Sequence, residues 1–283
     1  MSDIPERQNE DRFLRYLAAQ RQLYTEDKRV GYGSLISIAI ATIIGTFIQL
    51  FLSEVAGCAN LAVLVLATLG LLIPMLSQSR TYAANVQERF DCSLLQIEWN
   101  DALAEEPEEM IISQKAARFQ GSRDWHQATS DLRDWYENPH IVTDPLAKAR
   151  IACQMENIGY SHRQGRWWAV MLMATVVVLF LFLIFIGMSM KWTITQLFLG
   201  PVPLFAPLMI GAVQNAAQHL EAASKLDRLS RIAQVLWHDA QGEYVDEMVL
   251  TQRARALQNE IYHLRRDYLP VPDWWYNLLR RLN

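Results

Sequence analysis

Weakly polar side chains recur along one face of the first apolar stretch of the chain. They are spaced four, three and four residues apart, as on one side of an α-helix, and are Thr42, Thr46, Gln49 and Ser53. Such side chains can hydrate a water-filled lumen between helices, or they can let helices pack closely within a membrane. The spacing by itself favours packing. Pore lining, with Glu54 at the outer mouth, stays open as the second hypothesis.

Residues that could catalyse a reaction do not form a recognisable pattern. The chain has no Walker loop, dinucleotide fingerprint, HExxH, GxSxG or repeated Cys/His spacing, and its six histidines are scattered. The three cysteines indicate neither a zinc site nor a disulfide framework. We therefore expect no enzymatic activity, no metal and no cofactor.

The polar stripe lies in the first of four long uncharged stretches. They are bounded by Arg29, Glu54, Arg80, Arg166, Lys191 and Glu221, with Glu54 and Lys191 each separating two of them. Each stretch has roughly 24 to 29 residues, and about 20 apolar residues suffice to cross a bilayer as a helix. The sequence therefore predicts four transmembrane helices in two hairpins, with Glu54 and Lys191 at the turns.

Lysine and arginine set the predicted orientation of these spans. They are concentrated before span one, between spans two and three, and after span four, whereas Lys191 stands alone at the opposite surface. By the positive-inside rule both termini and the central segment face the cytoplasm. The predicted organisation is an N-terminal cytoplasmic helix, hairpin one, a central cytoplasmic segment, hairpin two and C-terminal cytoplasmic helices: 1–30, 31–79, 80–166, 167–218 and 219–283.

The cytoplasmic segments are predicted to be mostly helical. We expect a short extended piece over 89–100, an acidic connector over 101–110 and a helix over 110–137. Asp144 and Pro145 form a helix-start signal, and that helix is predicted to continue into span three. Helices are also expected over 219–240 and 246–267. The predicted fold class is an all-α membrane protein, with four transmembrane helices in two hairpins and a mostly helical cytoplasmic domain built from three chain segments.

Several segments of the chain resemble one known family. They are "IPERQNEDRFLRYLAAQRQLYTEDK", "FDCSLLQIEWN", "DPLAKARIACQMENIGY" and "LQNEIYHLRRDYLPVPDWWY". In this order, around four apolar stretches, they resemble the signature segments of the SMODS-associating four-transmembrane effectors. The resemblance covers nearly the whole chain.

This resemblance implies a role in bacterial antiphage signalling. A cognate nucleotidyltransferase would make a cyclic oligonucleotide on infection, and the cytoplasmic part of the effector would sense it. The effector would then oligomerise or open and permeabilise the inner membrane, causing abortive infection. The implied partners are the lipid bilayer, the cyclic oligonucleotide and further copies of the chain, with no nucleic-acid polymer.

A receptor for such a ligand needs cations for phosphates, and flat or amide groups for bases. Candidates share helical faces within the family-like segments or close the predicted extended piece: Gln20, Arg21, Tyr24, Trp99, Asn100, Arg150, Gln154 and Asn157. Each of them could instead be a buried polar link between cytoplasmic helices.

Three alternatives remain at this point. Span four carries a stripe of glycines, prolines and glutamines at similar helical spacing, so it could line a pore in place of span one. The protein could also be a membrane-anchored sensor or scaffold without a conducting pore. A small transporter is disfavoured, because no ionisable residue lies in the middle of a span.

Overall fold

The computed structural model describes residues 2–51, 56–72, 78–242, 246–275 and 278, and the regular elements among them are helices. The predicted all-α class is therefore confirmed for this part of the chain. A short 3-10 helix (Ser130–Leu132) follows α6. The α-helices are α1 (Ile4–Arg7), α2 (Asp11–Phe51), α3 (Ala56–Leu72), α4 (Ser79–Leu94), α5 (Glu109–Gln120), α6 (Trp125–Thr129), α7 (His140–Thr143), α8 (Leu146–Ser189), α9 (Ile194–Leu199), α10 (Pro201–Ala240) and α11 (Glu247–Asp267).

Two of the described helices are long and apolar enough to cross a membrane. By length and composition these are Asp11–Ile48 in α2 and Leu146–Ser189 in α8, while Asn60–Gly70 in α3 is apolar but shorter. The segment Pro201–Ala240 does not qualify, because prolines and amides dilute its apolar half. Two of the four predicted spans are thus supported by their helices.

The chain divides into two compact units. Unit 1 comprises Met1–Glu26, Gln78–Arg163 and Ala222–Pro270, and unit 2 comprises Asp27–Ser77, Gln164–Glu221 and Val271–Asn283. Unit 1 overlaps most of the three segments that the sequence assigns to the cytoplasm, whereas 271–283 of the predicted C-terminal segment belongs to unit 2. Their location relative to a membrane stays a prediction.

Two large apolar clusters lie in the described part of unit 1. The first joins the start of α2 to α4, where the Phe13 and Phe90 rings meet edge to face with their centroids 5.8 Å apart. The second joins α8, α10 and α11 through side chains such as Ile151, Leu229 and Leu257. Burial of these side chains provides the hydrophobic stabilisation of the unit.

Unit 2 is packed through small residues. A Cβ atom on Gly45 of α2 would lie 2.8 Å from Val63 Cγ2 of α3 and 3.1 Å from Leu204 Cδ2 of α10. One on Gly70 would lie 3.1 Å from the Ile38 side chain. Helices approach this closely only where a side chain is missing, which is how small residues act between membrane helices.

Indoles form a second packing centre in unit 2. The Trp168 ring lies 5.7 Å from that of Tyr32 and 5.6 Å from that of Trp275, and its Nε1 donates to Asn215 Oδ1 at 3.0 Å. The pairing of the Trp168 N–H satisfies the polar end of a buried aromatic side chain.

Two helix boundaries differ from the sequence expectation. The predicted extended piece over 89–100 is wrong in its first half, because α4 continues to Leu94. The predicted helix over 110–137 is interrupted, since α5 ends at Gln120 and Gly121 follows with φ +61°, a conformation that suits glycine. The helix that begins after Pro145 does run through the third apolar stretch, as predicted.

Candidate functional site

Buried carboxylates of α4 face arginines of α11 in the centre of unit 1. Glu88 Oε1 lies 2.5 Å from Arg255 Nη2, and Asp91 Oδ2 lies 2.5 Å from Arg265 Nη1. The Asp91 side chain is 0% exposed. Charges removed from water to this degree must be paired, so the two ion pairs hold α4 and α11 in one register.

Neutral polar groups complete this network. Gln258 Nε2 donates to Glu88 Oε2 at 2.8 Å and to Asp91 Oδ2 at 3.0 Å. The Tyr136 hydroxyl donates to Asp91 Oδ1 at 2.7 Å and accepts from Asn157 Nδ2 at 2.8 Å. Each carboxylate therefore has an arginine and at least one further donor, as a buried anion requires.

The charges in this network shift the titration of their neighbours. Burial opposes the Arg265 charge, but the adjacent Asp91 carboxylate outweighs it and raises the pKa of Arg265. Burial, together with the Asp91 charge, raises the pKa of Tyr136 well above its ordinary value. Arg265 therefore stays protonated and Tyr136 stays a neutral hydrogen-bond donor at physiological pH.

Two of the three cysteines belong to the same region. Cys92 and Cys153 are buried, whereas Cys58 of α3 is exposed. Burial, reinforced by the Glu88 carboxylate, raises the pKa of Cys92, and burial likewise raises the pKa of Cys153. Both thiols are therefore held in their unreactive form.

Arg150, a predicted ligand contact, lies on the same side of unit 1. Its guanidinium donates to the Leu95 carbonyl at 2.7 Å, to the Gln96 carbonyl at 3.1 Å and to Thr251 Oγ1 at 2.9 Å. Burial lowers the pKa of Arg150. A phosphate would have to displace these protein acceptors to reach the guanidinium.

The other two residues of that predicted face also make internal contacts. Gln154 Nε2 donates to the Ala254 carbonyl at 2.9 Å and to Gln258 Oε1 at 3.0 Å, and Asn157 reaches Tyr136. The structure thus brings Gln154 and Asn157 to the ionic network and Arg150 to its edge. These contacts match the hypothesis of buried links between helices, and ligand binding by the three residues stays a prediction.

The remaining predicted ligand contacts, on α2 and in the segment after α4, also have partners within the fold or are buried. Gln20 is buried, and Asn100 Oδ1 accepts from the Ala102 amide at 3.2 Å within the acidic connector. The others make aromatic or amide contacts: Arg21 with Trp135, Tyr24 with Gln87, and Trp99 with Arg89. Each of these contacts is internal to the fold, and ligand binding by these five residues stays a prediction.

The predicted pore residues lie in or just beyond α2. Thr42 is buried and its Oγ1 donates to the Leu204 carbonyl of α10 at 3.0 Å. Thr46 donates to the Thr42 carbonyl of its own helix at 2.8 Å. The Gln49 side chain, Ser53 and Glu54 fall outside the described residues. The position of Thr42 fits helix packing, and pore lining by this stripe stays a prediction.

Sequence analysis missed the acidic and basic partners of the buried network. On α11 the inward polar residues follow one helical face, at positions Arg255, Gln258, Tyr262 and Arg265. This periodicity could have marked them as a face. Nothing local identified their partners, because Asp91 lies 174 residues from Arg265 in the chain.

The regular elements of the described residues are helices, and they form an apolar unit and a unit centred on a buried ionic network. A family model, the SMODS-associating 4TM effector domain, matches residues 2–283. The chain therefore belongs to this family, and the resemblance found in its sequence is confirmed. With the two long apolar helices, the family supports a membrane protein.

One relative is a protein of Bacillus cereus (strain VD146) described as a probable CBASS effector molecule. The two sequences are 27% identical over an alignment 302 residues long. The alignment covers 96% of this chain and 91% of the relative. No solved structure matches this chain.

Proposed function

We propose that this protein is a bacterial inner-membrane effector of cyclic-oligonucleotide antiphage defence. Unit 1 would bind a cyclic oligonucleotide made by a cognate nucleotidyltransferase, and the protein would then oligomerise or open and permeabilise the membrane. The observation that carries the proposal is the family match over residues 2–283. The B. cereus relative, which is described as a CBASS effector, supports the same reading over almost the full length of both chains.

The proposal includes four membrane spans with both termini in the cytoplasm. Besides the two qualifying helices, the turn at Lys191 supports it, because that residue has φ +53° between the end of α8 and the start of α9. A left-handed residue just after the last helical turn is a common way for a helix to end, so α8 ends at the predicted turn position. Lys191 and the α3 boundary near Glu54 would then lie at the outer surface.

The topology can be tested with single cysteines at two positions, Gln120→Cys and Val55→Cys, in a chain whose own three cysteines are replaced. A membrane-impermeant maleimide added to intact spheroplasts should modify position 55 and leave position 120 unmodified. Modification of position 120 alone would overturn the orientation.

Membrane permeabilisation can be tested in proteoliposomes loaded with a self-quenching dye. Cyclic di- and trinucleotides should release dye from vesicles that contain the protein and not from empty vesicles. If the protein binds a nucleotide without releasing dye, the alternative of a membrane-anchored sensor or scaffold is favoured.

The same assay tests whether span one lines the pore. Thr46→Leu combined with Gln49→Leu should preserve insertion and nucleotide binding but reduce release, because an apolar constriction dewets. Ser37→Leu is the matched control, since Ser37 lies on the opposite face of α2 by helical spacing and is exposed. Release equal to that of the wild type would identify the stripe as packing surface and direct attention to span four.

A further inference from the structure

A groove runs along unit 1 between the second half of α10 and α11. Its volume is about 830 Å³, within the range of about 300 to 1,000 Å³ that small-molecule sites occupy. Its floor is apolar and includes the buried side chains of Leu229, Leu236 and Leu257. Two further apolar side chains on α10, Ile232 and Val235, line it while 42% and 60% exposed.

The charged residues of this groove are mostly basic. Four lysines or arginines line it, with two carboxylates and one histidine: Lys225, Arg228, Arg231, Arg253, Glu260, Asp267 and His263. The chain as a whole has a formal net charge of −4. A basic groove on an acidic protein attracts anionic ligands, and apolar walls strengthen that field.

Two of these cations are available to a ligand. Arg228 and Arg231 are exposed, and neither forms an ion pair or hydrogen bond with another described residue. By contrast, Arg253 pairs with Asp239 at 2.9 Å, and Lys225 donates to the Tyr268 hydroxyl at 2.7 Å. A phosphate can therefore reach Arg228 and Arg231 without displacing a protein acceptor, unlike the three-fold bonded guanidinium of Arg150.

The groove is separate from the buried ionic network because the two use opposite faces of α11. Arg255, Gln258 and Arg265 project towards α4, where their carboxylate partners lie. Arg253 and Glu260 line the groove and lie about half a helical turn away from that face. Ligand contacts in the groove thus leave the ion pairs that stabilise unit 1 intact.

We propose that this groove, and not the Arg150 face, is the site that binds the cyclic oligonucleotide. Arg228 and Arg231 bind its phosphates, and its bases lie on the apolar floor beside Tyr268. The proposal rests on the proposed function for the identity of the ligand. The groove adds the location of the ligand site. A cyclic oligonucleotide is a compact anion with flat apolar faces, and the groove offers it a basic rim over an apolar floor.

The test measures nucleotide affinity of the full chain in detergent by calorimetry, with cyclic di- and trinucleotides of adenosine, guanosine and uridine as probes. Arg231→Glu should weaken the binding of the tightest probe at least about tenfold, as expected for loss of one charge-assisted hydrogen bond. Arg231→Lys should retain most of the affinity. Arg15→Glu, an equal charge reversal at an exposed residue of α2 outside the groove, should stay within about twofold.

Each outcome bears on one of the two proposals. If the wild type binds a nucleotide and Arg231→Glu binds it equally well, the assignment of the site to the groove is contradicted while the proposed function stands. If the wild type binds no probe and releases no dye, the proposed function and the groove assignment both fail. Thermal unfolding of each variant in the same detergent establishes that Arg231→Glu is folded.

Two other occupants would contradict the assignment. If Arg231→Glu lowers binding to vesicles of phosphatidylglycerol but not to the nucleotide, the groove serves an anionic headgroup. If it changes the oligomeric state in light scattering while nucleotide affinity is unchanged, the groove serves an acidic segment of a second copy. A selective loss of nucleotide affinity, with lipid binding and oligomeric state unaltered, supports the proposal.

Discussion

The Thr42 hydroxyl of α2 donates a 3.0 Å hydrogen bond to the Leu204 carbonyl of α10. This bond joins two helices, whereas the neighbouring Thr46 hydroxyl bonds within its own helix. Thr42→Val should therefore destabilise the protein by about 0.6 kcal/mol, the average for hydrogen bonds between membrane helices, and by no more than about 1.7 kcal/mol. Thr46→Val should cost less. Thermal unfolding in detergent measures both, and equal effects would argue against the interhelical bond.

Gly45 is predicted to be intolerant of even the smallest side chain. An alanine Cβ there would lie 2.8 Å from Val63 Cγ2, and the short, stiff valine side chain cannot turn away. Gly45→Ala should cost about 1 to 3 kcal/mol through overpacking.

Gly33→Ala is the matched control, because Gly33 lies in the same helix and a Cβ there meets nothing within 4 Å. It should stabilise the helix by about 0.5 to 1 kcal/mol, since glycine is a poor helix former. Opposite signs for the two substitutions in thermal unfolding are the expected result. A gain at both sites would contradict the close contact of α2 with α3 and α10.

Removal of one partner from the buried network should be among the most destabilising changes in unit 1. Arg265→Met leaves the fully buried Asp91 carboxylate without its cation and should cost about 3 to 5 kcal/mol. The adjacent Arg266 pairs with Asp267 at the surface, so Arg266→Met should cost less than about 1 kcal/mol. Denaturant unfolding of the full chain in detergent compares them. Similar losses would show that burial does not set the energetics of this pair.

Glu26 is predicted to make stability depend on pH. Burial disfavours its charge, but hydrogen bonds from Lys115 and Gln22 outweigh burial and lower its pKa below 4.5. Because the folded pKa is lowered, the contribution to stability is present above about pH 4.5 and is lost as the pH falls through the folded pKa. Glu26→Gln should cost up to about 1 kcal/mol at pH 7.

The difference in melting temperature between wild type and Glu26→Gln should shrink as the pH is lowered below 4.5. Glu105→Gln is the control, since Glu105 is exposed and makes no ion pair with the described residues. A Glu26→Gln difference that is constant from pH 7 down to acid would contradict the lowered pKa.

The helices that sequence reasoning placed well are those whose signals are local. Pro145 precedes α8, and an unbroken apolar stretch carries that helix to Ser189. Local signals failed where a boundary depended on tertiary packing. The segment 89–94 looked short and apolar, but Phe90 and Leu94 lie on one face of α4 and are buried in the unit 1 core, which keeps it helical.

The candidate site could be predicted only in part, for a similar reason. Gln154 and Asn157 were recognised as a polar face because their spacing is a property of one helix. What that face contacts depends on Tyr136 and Gln258, which lie 21 and 104 residues away in the chain. Whether a polar face binds a ligand or a neighbouring helix is decided by such distant partners, and no periodicity encodes them.

The three thiols differ in exposure, so the rates at which they are modified report the opening of unit 1. In detergent the exposed Cys58 should react with a small thiol reagent before Cys92 and Cys153, which are buried. Their raised pKa values withhold the thiolate as long as the surrounding helices stay packed. Cys92 and Cys153 should therefore react only when the surrounding helices separate. Their modification rates then report how often unit 1 opens locally, as amide hydrogen exchange does. Local unfolding of unit 1 can thus be measured on the wild-type protein, with no engineered label.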